Sequence, residues 1–303
     1  MNHIAIASGK NREELFTAVS QKMCTKAAIV EKDFWVVWVL DKIFGDDRLN
    51  KILMFKGGTS LSKVFNLIGR FSEDIDLILD WREIAKENPL DKRASKNQQV
   101  KFNKKVNDDA KVYIKETLLP IIIELVSPLC SCSIDQNDEF NINIIYPSSF
   151  SDEYLRPDIF EKSICKINAI VAKRIFWEKA TILHQESNRV KEKVLLPRYS
   201  RHYYDMTIMA QSTVKQEALD DLELLEQVID FKNKFYPANW AKFDEAKPNT
   251  LKLIPPDFRL NELKKDYKAM EHMIFDKHLK FEEIIETLQA LEDEINSLEQ
   301  TDD

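Results

Sequence analysis

Glycine is scarce: the 303-residue chain has five, where average usage of roughly 7% would supply about twenty. They stand at Gly9, Gly45, Gly57, Gly58 and Gly69. That distribution excludes a G-x-G-x-x-G dinucleotide fingerprint and a G-x-x-x-x-G-K-[ST] phosphate loop, and it leaves one adjacent pair. Long apolar runs are also missing. No segment approaches the ~20 residues of a membrane helix, and MNHIAIASGKNREELF has too little apolar character for a signal-peptide core. The sequence therefore predicts a cytoplasmic protein with no membrane partner. The four cysteines, Cys24, Cys130, Cys132 and Cys165, lack the paired C-x-x-C spacing of a zinc site and read as free thiols. A basic excess is absent: 44 Lys and Arg stand against 51 Asp and Glu, a net charge of −7. This argues against a generally basic nucleic-acid wrapper and leaves room for local basic surfaces.

What is present is patterned. Residues 12–44 read as two helices, the second apolar over more than half its circumference through EKDFWVVWVLDKIF and so buried. Leu53 to Phe55 is a short apolar run that reaches Gly57-Gly58-Thr59-Ser60, after which Leu61, Val64, Phe65 and Ile68 recur at helical spacing until Gly69. FSEDIDLIL then alternates, with Ile75, Leu77 and Leu79 on one face and Asp74 and Asp76 on the other. Residues 86–115 hold nine Lys and Arg against four Asp and Glu and read as a solvated helix or loop, followed by a helix to Val126. A polar patch, CSCSIDQNDEF, precedes a strand over Asn141 to Tyr146. Pro147 to Pro157 reads as a connection, dividing the chain into residues 1–155 and 156–303. Beyond it the period is helical over Ile164 to His184, Ala210 to Phe231, Asp257 to Phe275 and Phe281 to Leu298. The last stripe reads as helix packing, with a dimer or antitoxin contact as the alternative. Trp35, Trp38 and Trp177 fall on apolar helical faces and read as core.

A glycine pair followed by hydroxyl residues at a helix start presents backbone N–H groups that can hold a phosphate. Thirteen residues separate Ser60 from Asp74, enough for a helix and a return, so Asp74 and Asp76 arrive beside that turn. Two carboxylates on one strand face repel each other. A divalent cation is the simplest compensation, and hard oxygen ligands select magnesium or manganese, which bridge nucleotide phosphates. Each motif alone is commonplace, as a solvated face or a helix entry; together they suit phosphoryl or nucleotidyl transfer.

The stretch FKGGTSLSKVFNLIGRFSEDIDL, preceded by EKDFWVVWVL and followed by RIFWEKATILHQESNR and PRYSRHYYDM, resembles the AbiEii/AbiGii-toxin-like nucleotidyltransferase family within the polymerase-beta-like superfamily. The resemblance spans roughly residues 15–235. It implies an α/β fold of the α+β kind, with a nucleotidyltransferase core of a small mixed sheet flanked by helices and a mainly helical C-terminal lobe. It implies catalytic roles for Asp74, Asp76, Lys179 and Asp205, with magnesium or manganese on Asp74 and Asp76. Gly57, Gly58, Thr59, Ser60, Lys63 and Lys179 would bind the NTP substrate. Acceptor or phosphate contacts would fall on Arg174, Arg198, Arg201 and His202. His184 and His202 otherwise read as structural.

An ammonium at Lys179 near the D-x-D would neutralise triphosphate charge that the metal leaves over. Asp205 has three open roles: orienting Arg198, Arg201 or His202, positioning an acceptor hydroxyl, or capping Lys179 in the empty enzyme. An interhelical ion pair is the plain structural alternative for both residues. The strand NINIIYP offers no third carboxylate on the expected face. Asp138 or Glu139 at its start are the nearest, and Asp205 is the candidate to act instead.

Residues 156–201 carry eleven Lys and Arg against five Asp and Glu. Two extended basic segments flanking the motifs suit an RNA acceptor, which lays several phosphates along them. Family members act as toxins of toxin–antitoxin and phage-defence pairs, which implies a cognate antitoxin, and in MenT relatives the acceptor is transfer RNA. A small-molecule or protein nucleotidyltransferase and a non-catalytic nucleotide-binding partner protein are the alternatives.

Overall fold

The computed structural model describes residues 1–71, 74–149, 169–275 and 277–298. They form two compact units: Met1–Thr59 with Phe71–Ala169, and Ser60–Arg70 with Ile170–Asp303. The sequence places its division at 155/156, inside a stretch that lies outside the described residues, and it does not anticipate that 60–70 belongs to the second unit. Bonds explain that membership. The Gly69 carbonyl accepts the Phe275 N–H at 2.6 Å, Arg70 forms an antiparallel bridge to Ile274, and the Arg70 side chain reaches Asp205.

The first unit opens with a short helix α1 (Asn2–Ala5) and a hairpin of α2 (Gly9–Met23) and α3 (Ala27–Gly45). Ser8 caps α2 by accepting the Asn11 N–H at 3.2 Å, and Cys24 ends it in the left-handed region, at φ 51°. α3 buries Trp35, Trp38, Val39, Leu40, Ile43 and Phe44, as its apolar circumference requires. A turn of helix, α4 (Asp47–Asn50), leads into strand β1 (Leu53–Lys56) and directly into α5 (Gly57–Lys63). α5 is shorter than the helical spacing of Val64 and Ile68 suggests. Asn66 takes φ 49° and the Leu67 N–H returns to the Leu61 carbonyl at 2.9 Å, which closes the helix early.

Strand β2 (Asp76–Leu79) runs antiparallel to β1, pairing Leu53 with Leu79 and Phe55 with Leu77. Those four residues face the core, which Phe55 enters completely (0% exposed); burying such a side chain stabilises by about 2 kcal/mol. Helix α6 (Lys96–Tyr113) has no buried residue and passes through one π-helical turn into α7 (Leu119–Val126). β3 (Ser131–Ile134) then pairs with β4 (Ile142–Ile145). β3 occupies the stretch that reads as a polar patch, because its alternation sets serine against cysteine and isoleucine.

The expected single mixed sheet is not what forms. Among the described residues there are two separate antiparallel pairs, and β1 adds only a parallel bridge from Phe55 to Ala169.

The second unit is helical: α8 (Ala172–Ser187), α9 (Ser200–Ala210), α10 (Thr213–Leu219), α11 (Leu222–Phe235), α12 (Asp257–Met270) and α13 (Phe281–Asn296). The stretch that reads as one helix from Ala210 to Phe231 is broken twice, because Ser212 caps α10 and Asp221 caps α11 through the Leu224 N–H at 3.1 Å. The start expected at Ile164 lies outside the described residues. Phe281, Ile284, Leu288, Leu291 and Ile295 are buried within this unit, where α13 packs against α9.

One buried polar network braces the first unit. Glu31 accepts from the Ser149 N–H at 2.9 Å and hydroxyl at 2.5 Å. Arg12 donates to the Ser149 hydroxyl at 2.9 Å and to the carbonyls of Ala5, Ala7 and Pro147. Arg12→Met removes these bonds to the Ser149 hydroxyl and to three backbone carbonyls at a buried position. It is expected to lower unfolding free energy by about 3 kcal/mol, measurable by urea titration with tryptophan fluorescence.

Candidate active site

The glycine turn and the aspartate pair meet. Gly57 joins β1 to α5 with φ 79°, a conformation that side chains rarely adopt. A Cβ added there would lie 2.0 Å from Oδ2 of Asp76, so the backbone calls for glycine and any side chain would have to displace the carboxylate. Thr59 is buried, and its hydroxyl donates to the Asp74 carbonyl at 2.6 Å, tying α5 to the approach of β2. Ser60 is fully buried as well. Asp74 and Asp76 are exposed, while Ile75, Leu77 and Leu79 pack on the core. Asp76 opens β2 and Asp74 lies two residues before it, and both carboxylates are exposed.

This donor set fits a hard divalent cation. Magnesium keeps several waters and is held by one or two carboxylates plus substrate phosphates, and Asp74 and Asp76 provide two carboxylates facing solvent. Among the described residues no group of three or more His, Cys, Asp or Glu is placed to hold a metal. Asp138 and Glu139 are engaged locally: Asp138 accepts from the Phe140 N–H at 3.0 Å, and Glu139 pairs with Lys111 at 2.9 Å.

The second unit holds a buried charge cluster. Arg70 donates through Nε to Oδ1 of Asp205 and through a terminal nitrogen to Oδ2, both at 2.6 Å, and Lys179 on α8 donates to Oδ2 at 2.7 Å. All three side chains are within 6% of full burial. Burial alone would raise the Asp205 carboxyl, but Arg70 and Lys179 overcome it and hold the group well below the usual carboxylate range. For Lys179, burial lowers the ammonium, Asp205 opposes this, and Arg70, competing for the same carboxylate, lowers it further. The cluster carries two cations on one anion. His202 follows on α9, and burial pushes its imidazole well below the usual value, with Lys179 and Arg201 adding to the effect. Its Nδ1 is buried without a hydrogen-bond partner.

Arg174 pairs with Glu178 at 3.3 Å. Arg198 is exposed at φ 61°, its N–H held by Asp266 at 2.6 Å. Lys63 ends α5. His184 is a satisfied core histidine: its Nδ1 accepts the Lys252 N–H at 3.0 Å, and Nε2 lies 3.1 Å from the Lys242 carbonyl. Trp35, Trp38 and Trp177 are buried, and Cys24, Cys130 and Cys132 are free thiols; Cys165 lies outside the described residues. Sequence reasoning missed Arg70 and Lys56. Arg70 left no local signal, whereas Lys56 lies opposite Asp76 in the β1–β2 register, a position that the alternation of β1 implies once the strands are paired.

Gly57→Ala is expected to displace the Asp76 carboxylate and weaken Mn²⁺ binding at least about tenfold, read by electron paramagnetic resonance. Gly45→Ala, where nothing lies within 4 Å of the added Cβ, is the control. The depressed Asp205 group contributes stability that is fully present above its unfolded value of 3.8 and is lost as pH falls toward the lower folded value. The stability gap between wild type and Asp205→Asn is therefore widest at neutral pH and narrows in acid, measurable by denaturant unfolding across pH.

Neither a curated protein nor a solved structure matches the chain. A family model does, described as the nucleotidyl transferase AbiEii toxin of type IV toxin–antitoxin systems, over residues 38–287. That span includes β1, the glycine turn, the aspartate pair and the Arg70–Asp205–Lys179 cluster, and the chain belongs to the AbiEii nucleotidyl transferase toxin family.

Proposed function

We propose that the protein transfers a nucleoside monophosphate from an NTP to an RNA acceptor such as transfer RNA, with Asp74 and Asp76 holding magnesium or manganese. It would act as the toxin of a cytoplasmic toxin–antitoxin or phage-defence pair opposed by a cognate antitoxin. The observation that carries this reading is the fit of the Asp76 carboxylate against Gly57, with Thr59 bonded to the Asp74 backbone. It holds a cation-binding pair beside backbone amides of a glycine turn, as an NTP-using site requires. Structural strands do not need a carboxylate pressed into the only space a side chain would occupy.

The bound cation would neutralise phosphate charge and orient the triphosphate. Gly58 adds no side chain to the turn, so that phosphate oxygens can approach the backbone there. In the transfer, the acceptor hydroxyl oxygen bonds to the α-phosphorus, the bond to pyrophosphate breaks, and the hydroxyl proton passes to solvent or to the pyrophosphate. Asp205 is poorly suited to take that proton, because three charge-assisted hydrogen bonds stabilise its ionised form. Its role is to hold Lys179 and Arg70 within the second unit. RNA is favoured over a small acceptor by local charge: α6 bears Lys96, Lys101, Lys104, Lys105 and Lys111 on a helix with no buried residue.

Incubation of the protein with each labelled NTP, magnesium and total RNA is expected to label a transfer-RNA band that vanishes in Asp74→Ala/Asp76→Ala. Labelling should fall steeply with salt, by orders of magnitude between ~50 and ~200 mM if six or more phosphates are contacted. Label in protein or small molecules, with flat salt dependence, would replace the RNA acceptor. No thermal shift with any NTP plus magnesium would remove the enzyme reading.

A further inference from the structure

β1 places one charged side chain on the face that bears the aspartates. Leu53 and Phe55 point into the core opposite Leu79 and Leu77, so Met54 and Lys56 point the other way, and the register sets Lys56 directly across from Asp76. Opposed residues of an antiparallel pair keep their Cβ atoms about 5 Å apart. The four-carbon stem of lysine then lets its ammonium reach the carboxylate or whatever the carboxylate holds. Asp76 does not lean away, since its Oδ2 lies over Gly57, the residue that follows Lys56. Lys56 is half-buried and sits between the fully buried Phe55 and the first residue of α5. Its place beside Asp76 is therefore set by the strand pairing.

A cation at this position acts oppositely on two ligands. It repels a divalent cation approaching Asp74 and Asp76 and supplies Asp76 with a counter-charge in the empty protein. It attracts a triphosphate. We propose that Lys56 couples the two bindings: it opposes capture of a divalent cation alone, and it pairs with the phosphates when cation and NTP bind together. This rests on the NTP-dependent reading above and adds to it an electrostatic gate. The coupling is reciprocal, so the cation must raise NTP affinity by the same factor as NTP raises cation affinity.

The test is a Mn²⁺ titration of the full chain followed by electron paramagnetic resonance of free ion, with and without α,β-non-hydrolysable analogues of the four NTPs. Wild type is expected to bind Mn²⁺ weakly alone and much more tightly with an analogue. Lys56→Met and Lys56→Gln should bind Mn²⁺ alone roughly five- to tenfold more tightly, from loss of one like charge at close range, while binding the analogue more weakly and showing reduced coupling. Lys56→Arg should behave as wild type. If the uncharged variants melt as wild type does and bind Mn²⁺ alone with equal or lower affinity, Lys56 has no such role and the nucleotidyltransferase reading stands. If wild type binds no Mn²⁺ even with the analogues, both fail together.

Discussion

The Asp76 carboxylate lies where any side chain at residue 57 would begin, and the rest of the candidate site is arranged around that contact. β1 must end, α5 must start and β2 must begin within one residue's breadth of each other. That is feasible only because Gly57 has φ 79° and no Cβ. The Thr59 bond to Asp74 closes the same junction from the helix side. In a chain with five glycines, two stand at this one turn, and at Gly57 backbone conformation and close approach both favour the smallest residue.

The charges of the two units are handled differently. In the first, both carboxylates of the aspartate pair are exposed. In the second, Asp205 is removed from water altogether, and its ionised form survives because Arg70 takes one side of both oxygens and Lys179 takes the remainder of one. A buried carboxylate with a single partner carries a desolvation cost that the pairing only partly offsets. Bidentate guanidinium geometry is the arrangement best able to meet it.

Much of this was legible in the sequence, and the exceptions have definite causes. The alternation of Ile75, Leu77 and Leu79 against Asp74 and Asp76 has the period of a strand, which the structure forms from Asp76 onward, and the apolar circumference of α3 is buried as expected. β3 was missed because Ser131, Cys132 and Ser133 alternate between residues of similar size, so the period carries little contrast. The early end of α5 depends on Asn66 entering the left-handed region, while the side chains beyond it keep a helical spacing. Arg70 was missed because its partner Asp205 is 135 positions away, and pairings at such separation leave no trace in local pattern. Asp205 and Lys179 themselves were reached through family resemblance, not through spacing. The division of the chain at 155/156 followed a Pro- and Ser-rich stretch, whereas 60–70 is claimed for the second unit by bonds to Ile274, Phe275 and Asp205.

Helix α6 stands at the opposite extreme from the glycine turn. Its eighteen residues include none that is buried, and it is stabilised largely from within, by the Ser95 cap, the Gln99–Asn103 hydrogen bond and the Lys105–Asp109 ion pair. A core that makes no claim on a helix leaves its outward residues free to drift, so the charge on α6 can change across generations at little cost to folding. The first unit thus joins a surface open to revision with a turn where one methyl group would displace a carboxylate.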